Sequence, residues 1–158
     1  MESSWRTLGS FWYWVAGQLV CNPDAQEPLG IAYSVVLNVL ETASQRPDER
    51  FIGLTASEKL PLVDWARFGE DDEPEAARWI AYGRKGFMPY RIIPEDGGPW
   101  FDGWEGLLSE AGESELIVWR RTRTSHVQEH SLPAGTLVEV ATEFCAWFED
   151  LRRRSIAL

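Results

Sequence analysis

Few side chains in this sequence have the type and spacing that metal or histidine chemistry requires. The two histidines are His126 and His130. On a helix, a spacing of four would let both bind one zinc ion, but Val127 and Leu132 favour extended structure. In a strand the two rings would lie about 13 Å apart, too far to share a metal. We therefore predict neither a metal centre nor a catalytic histidine.

Asp102 and Glu105, with Glu95 and Asp96 close in sequence, are the best candidates for paired carboxylates. Acid–base catalysis needs one desolvated and one hydrated carboxyl group, so that their pKa values separate. The aromatic residues of the segment PWFDGWEG (99–106) offer an apolar wall, but nothing in it fixes that geometry. The GxSxG, Walker, GxGxxG and HExxH motifs do not occur. We expect a protein that is not an enzyme and uses no cofactor.

The distribution of charge gives a stronger lead. The 158 residues include 25 acidic and 15 basic side chains, for a net charge of −10. One acidic run covers residues 70–75, and residues 92–119 contain seven acids but no lysine or arginine. This balance disfavours nucleic acid and anionic membranes as direct partners. It either keeps the surface hydrated or attracts a cationic protein, such as a nuclease with a basic cleft.

Nine tryptophans offer apolar anchors. Six fall in predicted elements and are expected in or near the core: Trp12, Trp14, Trp65, Trp79, Trp119 and Trp147. Trp100 and Trp104 flank a glycine-rich loop, so we expect them to be exposed, as interface tryptophans are. The predicted partner-binding residues are Glu70, Asp71, Asp72, Glu73, Glu95, Asp96, Trp100, Asp102, Trp104 and Glu105.

Two alternatives remain open at this stage. Arg120, Arg121 and Arg123 offer a cationic surface that would pair with carboxylates of a partner instead. The exposed tryptophans would also suit a module that binds a glycan or another small ligand. Whether the chain associates with itself is left open.

The first half of the chain predicts two strands and two short helices. Residues 10–20 are rich in aromatic and β-branched types, and residues 31–39 alternate with period two, so these segments are expected to pair as a hairpin. Thr55 and Glu58 have capping-box spacing, with Pro61 as an alternative start for a helix that ends near Gly69. A second short helix is expected from Pro74 to Gly83.

The second half predicts strands over 88–93, 100–111, 115–124 and 125–132, followed by a long helix. Thr136 and Glu139 form a second capping box before an apolar stripe of Leu137, Val140, Ala141, Phe144, Phe148 and Leu151. The whole pattern indicates an α+β fold: one domain, residues 1–158, with a mainly antiparallel sheet, two short central helices and a C-terminal amphipathic helix.

The compartment is expected to be the cytoplasm. No run of 18 apolar residues is present, and the N-terminus lacks the basic start and cleavage site of a signal peptide. Cys21 and Cys145 lack metal-ligand spacing and are expected to be reduced, packed thiols.

Several segments resemble a family of bacterial polymorphic-toxin immunity proteins, immunity protein family forty-two, of the contact-dependent inhibition type. They are FDGWEGLL (101–108), ELIVWR (115–120), LPAG (132–135), the terminal amphipathic helix and the early LGIAYSVV segment (29–36). The resemblance implies a cytoplasmic, non-enzymatic protein that binds one cognate toxin domain and occludes or distorts its active site. It transfers no site residues, because each such protein matches its own toxin.

Overall fold

The computed structural model describes residues 7–46, 51, 53–60, 92–93, 98–122, 124 and 126–156. The prediction of a helix from Pro74 to Gly83 lies outside these residues, as do most of the first central helix and of the strand over 88–93. Trp65 and Trp79 also lie outside them.

The described residues form an α+β fold, as predicted. All strand pairs among them are antiparallel: β1 with β4, β2 with β3, and a sheet in the order β5-β6-β7. In chain order the elements are β1 (Leu8–Gly9), β2 (Tyr13–Val15), β3 (Gln18–Val20), β4 (Glu27–Pro28), α1 (Leu29–Glu41), β5 (Trp104–Ala111), β6 (Ser114–Arg121), β7 (Gln128–Pro133) and α2 (Thr136–Ile156). None of the described helices is long and apolar enough to cross a membrane.

The aromatic segment 10–20 is extended, as predicted, but it folds back on itself. β2 and β3 pair through a two-residue turn at Ala16 and Gly17, whose φ angles are 50° and 76°. Positive φ at both positions matches the twist of an antiparallel pair, and glycine adopts it without strain. This hairpin replaces the one predicted between residues 10–20 and 30–40.

The second predicted strand is wrong, because residues 29–41 form the helix α1. Its buried residues include Leu29, Ala32, Val36 and Val39, at helical spacings of three and four, and Gly30 is also buried. The segment is apolar enough to fit both periods, but its length suits a helix better than a strand. The helix buries Val36 and Val39 against Ala141 and Cys145 of α2.

The long β5–β6 hairpin contributes several of the most buried residues of the core. Val118 and Trp119 on β6 are 0% and 1% exposed, and Leu107 and Leu108 on β5 are fully buried. The predicted strand over 115–124 is confirmed with slightly earlier bounds, whereas the strand predicted from residue 100 begins only at Trp104. Residues 98–100 form a short 3₁₀ turn instead.

The long C-terminal helix is confirmed, but its predicted capping box is not. Thr136 donates its hydroxyl hydrogen bond to the carbonyl oxygen of Pro133. The carboxylate of Glu115, on β6, accepts the backbone N–H groups of Gly135 and Leu137 at 2.7 and 2.9 Å. Glu115 is 0% exposed, so a buried side chain distant in sequence satisfies the helix start.

Half of the other predicted capping box is present, because the backbone N–H of Glu58 donates to the carbonyl oxygen of Thr55 and not to its hydroxyl group. The carboxylate of Glu58 accepts hydrogen bonds from both the backbone N–H and the hydroxyl group of Thr55, at 2.8 and 2.7 Å. Residues 56–60 are helical behind it. The spacing of three between Thr55 and Glu58 predicts this contact because both residues lie in one turn.

Candidate functional site

Three of the seven acidic residues between 92 and 119 pair with other groups of the same chain. Glu105 pairs with Arg120 across the β5–β6 hairpin at 2.6 Å, and Glu110 pairs with the buried Arg46 at 2.7 Å. Glu115 caps α2. The window contains no basic residue of its own before Arg120, so the sequence alone gave no sign of these partners. The acidic segment is therefore less free than its composition suggested.

Asp102 is the exposed carboxylate of the predicted set that the structure describes. It lies in the turn before β5, beside Gly103, whose φ of 77° is left-handed. Trp104 is half-buried at the start of β5, and the guanidinium group of Arg121 lies 5.5 Å from its ring centroid. Asp102, Trp104 and the Glu105–Arg120 pair thus share one end of the hairpin. The other predicted acids lie outside the described residues: Glu70, Asp71, Asp72, Glu73, Glu95 and Asp96.

The expectation that Trp100 is exposed is wrong. Its side chain is 1% exposed, and its indole N–H donates to the carbonyl oxygen of Ala25 at 3.1 Å. The indole ring buries a large apolar area once its N–H has found a partner, so the ring fills the core. Trp100 is therefore a core residue and offers no surface to a partner.

The opposite correction applies to three tryptophans that were expected in or near the core. Trp12, Trp14 and Trp147 are 41%, 65% and 51% exposed, whereas Trp119 is buried as predicted. The alternation of residues 11–15 indicates which side chains face outward. Phe11, Tyr13 and Val15 are the more buried set, and the two tryptophans between them are exposed.

Two of these tryptophans line an apolar groove of about 410 Å³. The groove lies between residues 11–15, α1, the β6–β7 pair and the first turns of α2. Val36 contributes from α1, Ile117 from β6, and Val140 and Phe144 from α2. Val140 was predicted in the buried stripe of α2 but is 55% exposed, at the groove's edge.

The groove has little capacity for acid–base chemistry among its described lining residues. Their side-chain hydroxyl groups belong to Tyr13 and Thr136, which donate to the carbonyl oxygens of Ile92 and Pro133 at 3.0 and 2.7 Å. Burial raises the pKa of Tyr13 well above its usual value, so this phenol stays protonated. Such a lining can bind apolar groups but offers no base near neutral pH.

The described residues contain no group of three or more histidine, cysteine or carboxylate side chains able to hold a metal ion. His126 is exposed before β7, and His130 lies within β7 opposite Ile117. Cys21 and Cys145 are free and buried, as predicted. Burial raises the pKa of both thiols, which lowers their reactivity.

Comparisons with known proteins agree with the resemblance drawn from the sequence. A crystal structure of CdiI from Burkholderia dolosa AUO158 has a similar fold, with a TM-score of 0.65 and 18% identity over 91% of this chain and 88% of that chain. No curated protein matches the sequence. A family model described as Immunity protein 42 matches residues 1–147. Because that match covers most of the 158 residues, the chain belongs to the Immunity protein 42 family.

Proposed function

We propose that this protein acts in the cytoplasm as a stoichiometric inhibitor, binding one cognate toxin domain and blocking its activity. The observation that carries the proposal is the family match over residues 1–147. The groove supports it, since an apolar cleft without an available base suits binding rather than catalysis. The inhibitor itself transforms nothing.

We further propose that the toxin domain is basic and is a nuclease. A net charge of −10 complements a cleft built to hold a polyanion, and carboxylates placed in that cleft would occupy the positions of phosphates. Asp102 supplies the exposed carboxylate of the described part of this surface. Trp104 and Glu105 follow it on β5, where Glu105 is already paired with Arg120. The remaining members are Glu70, Asp71, Asp72, Glu73, Glu95 and Asp96.

The alternative, a glycan-binding module, receives less support from the groove. A glycan site needs several converging polar groups beside its aromatic platform, and the hydroxyl groups of Tyr13 and Thr136 already bond to the backbone. Sugars that quench the tryptophan fluorescence of the wild-type chain, but not of Trp14→Ala, would favour this alternative.

The test of the proposed function is co-expression. The proposal predicts that a neighbouring gene encodes a polymorphic toxin, and the C-terminal domain of that gene product is the probe. We expect that domain to stop growth when it is expressed alone, and growth to recover when the chain is present. Continued growth arrest with both proteins expressed would refute the proposal.

The acidic component has its own test, in the association kinetics of the purified proteins. Asp102→Asn removes one exposed charge near the start of β5 and is expected to slow association several-fold. Glu41→Gln removes an exposed charge at the end of α1 and serves as the matched control. Equal rates for both variants and the wild type would exclude Asp102 from the interface.

A further inference from the structure

The most exposed large apolar side chains of the described residues are concentrated at the groove. Five such side chains are exposed, and all but Leu8 lie on or beside it. Trp12, Trp14 and Val140 line the groove directly. Trp147 contacts the ring of Phe144, another lining residue, at 5.7 Å between centroids. We call Trp12, Trp14, Val140 and Trp147 the apolar rim.

Half of the apolar rim lies on one face of α2. Val140 and Trp147 are seven residues apart, or two helical turns, so their side chains project in similar directions. Glu143 lies on the same face between them, and Glu139 lies one turn before it; both are exposed. The rim therefore combines apolar surface with hydrated carboxylates.

The groove also connects to the end of the β5–β6 hairpin that lies beside Asp102. The ring of Tyr13 stacks on Phe101 with centroids 5.4 Å apart, and Phe11 meets Phe101 edge-on at 6.0 Å. Asp102 follows Phe101 directly. Packed rings thus join the groove wall to the loop that carries an exposed carboxylate.

We propose that the groove and its apolar rim are the docking surface for the toxin domain, which inserts an apolar side chain flanked by lysine or arginine. This inference rests on the proposed function and names the surface that performs it. Aromatic anchors around a cleft, ringed by charge, are typical of interface hot spots.

Charge complementarity selects this occupant over a second copy of the chain. A symmetric dimer through the groove would place Glu139 and Glu143 of both copies in one interface, between two chains that each carry −10. A cationic partner instead gains from every one of these carboxylates.

The test is a binding titration with the same toxin domain, using two variants that separate apolar docking from charge attraction. Trp14→Ala removes an exposed ring and is expected to raise the dissociation constant about 30-fold, which is the effect of an aromatic hot spot. Val140→Glu adds a negative charge, so attraction alone would strengthen binding. Apolar docking predicts the opposite, a loss of at least about 10-fold.

The matched control is Thr142→Glu, which places the same charge on the same helix but away from the groove. Thr142 is exposed, and its position is about 200° around α2 from Val140. We expect it to bind within about two-fold of the wild type. Circular dichroism and urea unfolding are used to check that all three variants fold.

Each outcome decides the proposal. Wild-type affinity in both Trp14→Ala and Val140→Glu, with growth still rescued, would overturn the docking surface and leave the proposed function intact. A wild-type chain that neither binds nor rescues would overturn both. A wild-type dimer that Val140→Glu separates into monomers, measured by sedimentation equilibrium, would assign the groove to a second copy and overturn the toxin assignment.

Discussion

Glu115 caps the first turn of α2 from a neighbouring strand. Its two carboxylate oxygens accept two backbone N–H groups, and the side chain is fully buried between β6 and α2. A buried carboxylate is costly unless its hydrogen bonds are made, and here both oxygens are engaged. The pairing therefore fixes how the helix begins relative to the sheet.

Glu115→Gln tests this role. The amide keeps the shape but only one acceptor oxygen, so we expect the free energy of unfolding to fall by about 2 kcal/mol. Glu113→Gln, an exposed acid in the adjacent turn, is the control and is expected to change it by less than about 0.5 kcal/mol. Urea unfolding measures the free energy of unfolding of both variants. An equally small change in the two variants would show that Glu115 has no capping role.

Tyr13 links the groove wall to residue 92 and gives stability a dependence on pH. Its raised pKa means that the folded chain retains the phenolic proton above pH values at which the unfolded chain loses it. The stabilisation is complete below the usual pKa of about 10 and is lost as the pH rises beyond it.

Tyr13→Phe is expected to cost about 1 kcal/mol at neutral pH, because the hydrogen bond to the carbonyl oxygen of Ile92 is lost. The variant is also expected to lose less stability than the wild type when the pH is raised above about 10. Thermal unfolding in a pH series measures both effects. If the stability of the wild type and of the variant fell equally above a pH of about 10, the pH dependence could not be assigned to Tyr13.

At the scale of elements, α1 shows why the spacing of apolar residues alone does not distinguish a helix from a strand. Ile31, Tyr33 and Val35 alternate as in a strand, while Ala32, Val36 and Val39 repeat as in a helix. A segment this apolar satisfies both patterns, and burial against α2 decides between them. By contrast α2 was predictable in type and extent, because its polar and apolar faces differ clearly.

A pair of neighbouring substitutions tests the helical assignment. Val36 is 5% exposed and Val35 is half-buried. Val36→Ala is expected to reduce the free energy of unfolding by about 1.5 kcal/mol, and Val35→Ala by about 0.5 kcal/mol or less. A larger loss at Val35 in urea unfolding would favour the strand.

At the scale of the whole molecule, the sequence predicted the fold class, the immunity-protein resemblance and the acidic character. It could not predict which acids remain free, since Arg46 pairs with Glu110 from 64 residues away. Nor could composition show that Trp100 is buried, because tertiary packing decides it, whereas the exposure of Trp14 follows from the alternation of residues 11–15. The groove likewise depends on contacts between distant elements.

The net charge makes the association rate sensitive to salt. If the acidic surface steers a basic toxin domain, raising the ionic strength from about 0.01 M to 1 M shortens the Debye length about ten-fold, and the association rate is expected to fall at least ten-fold. Stopped-flow fluorescence measures this rate. A rate independent of salt would remove electrostatic steering and leave apolar docking as the source of affinity.

The most direct measurement of the central claim is a titration of the purified toxin domain's activity with the purified chain. Stoichiometric inhibition predicts that activity falls linearly and is abolished at one equivalent, because each chain occupies one toxin domain. Full toxin activity in the presence of excess folded chain would contradict the account.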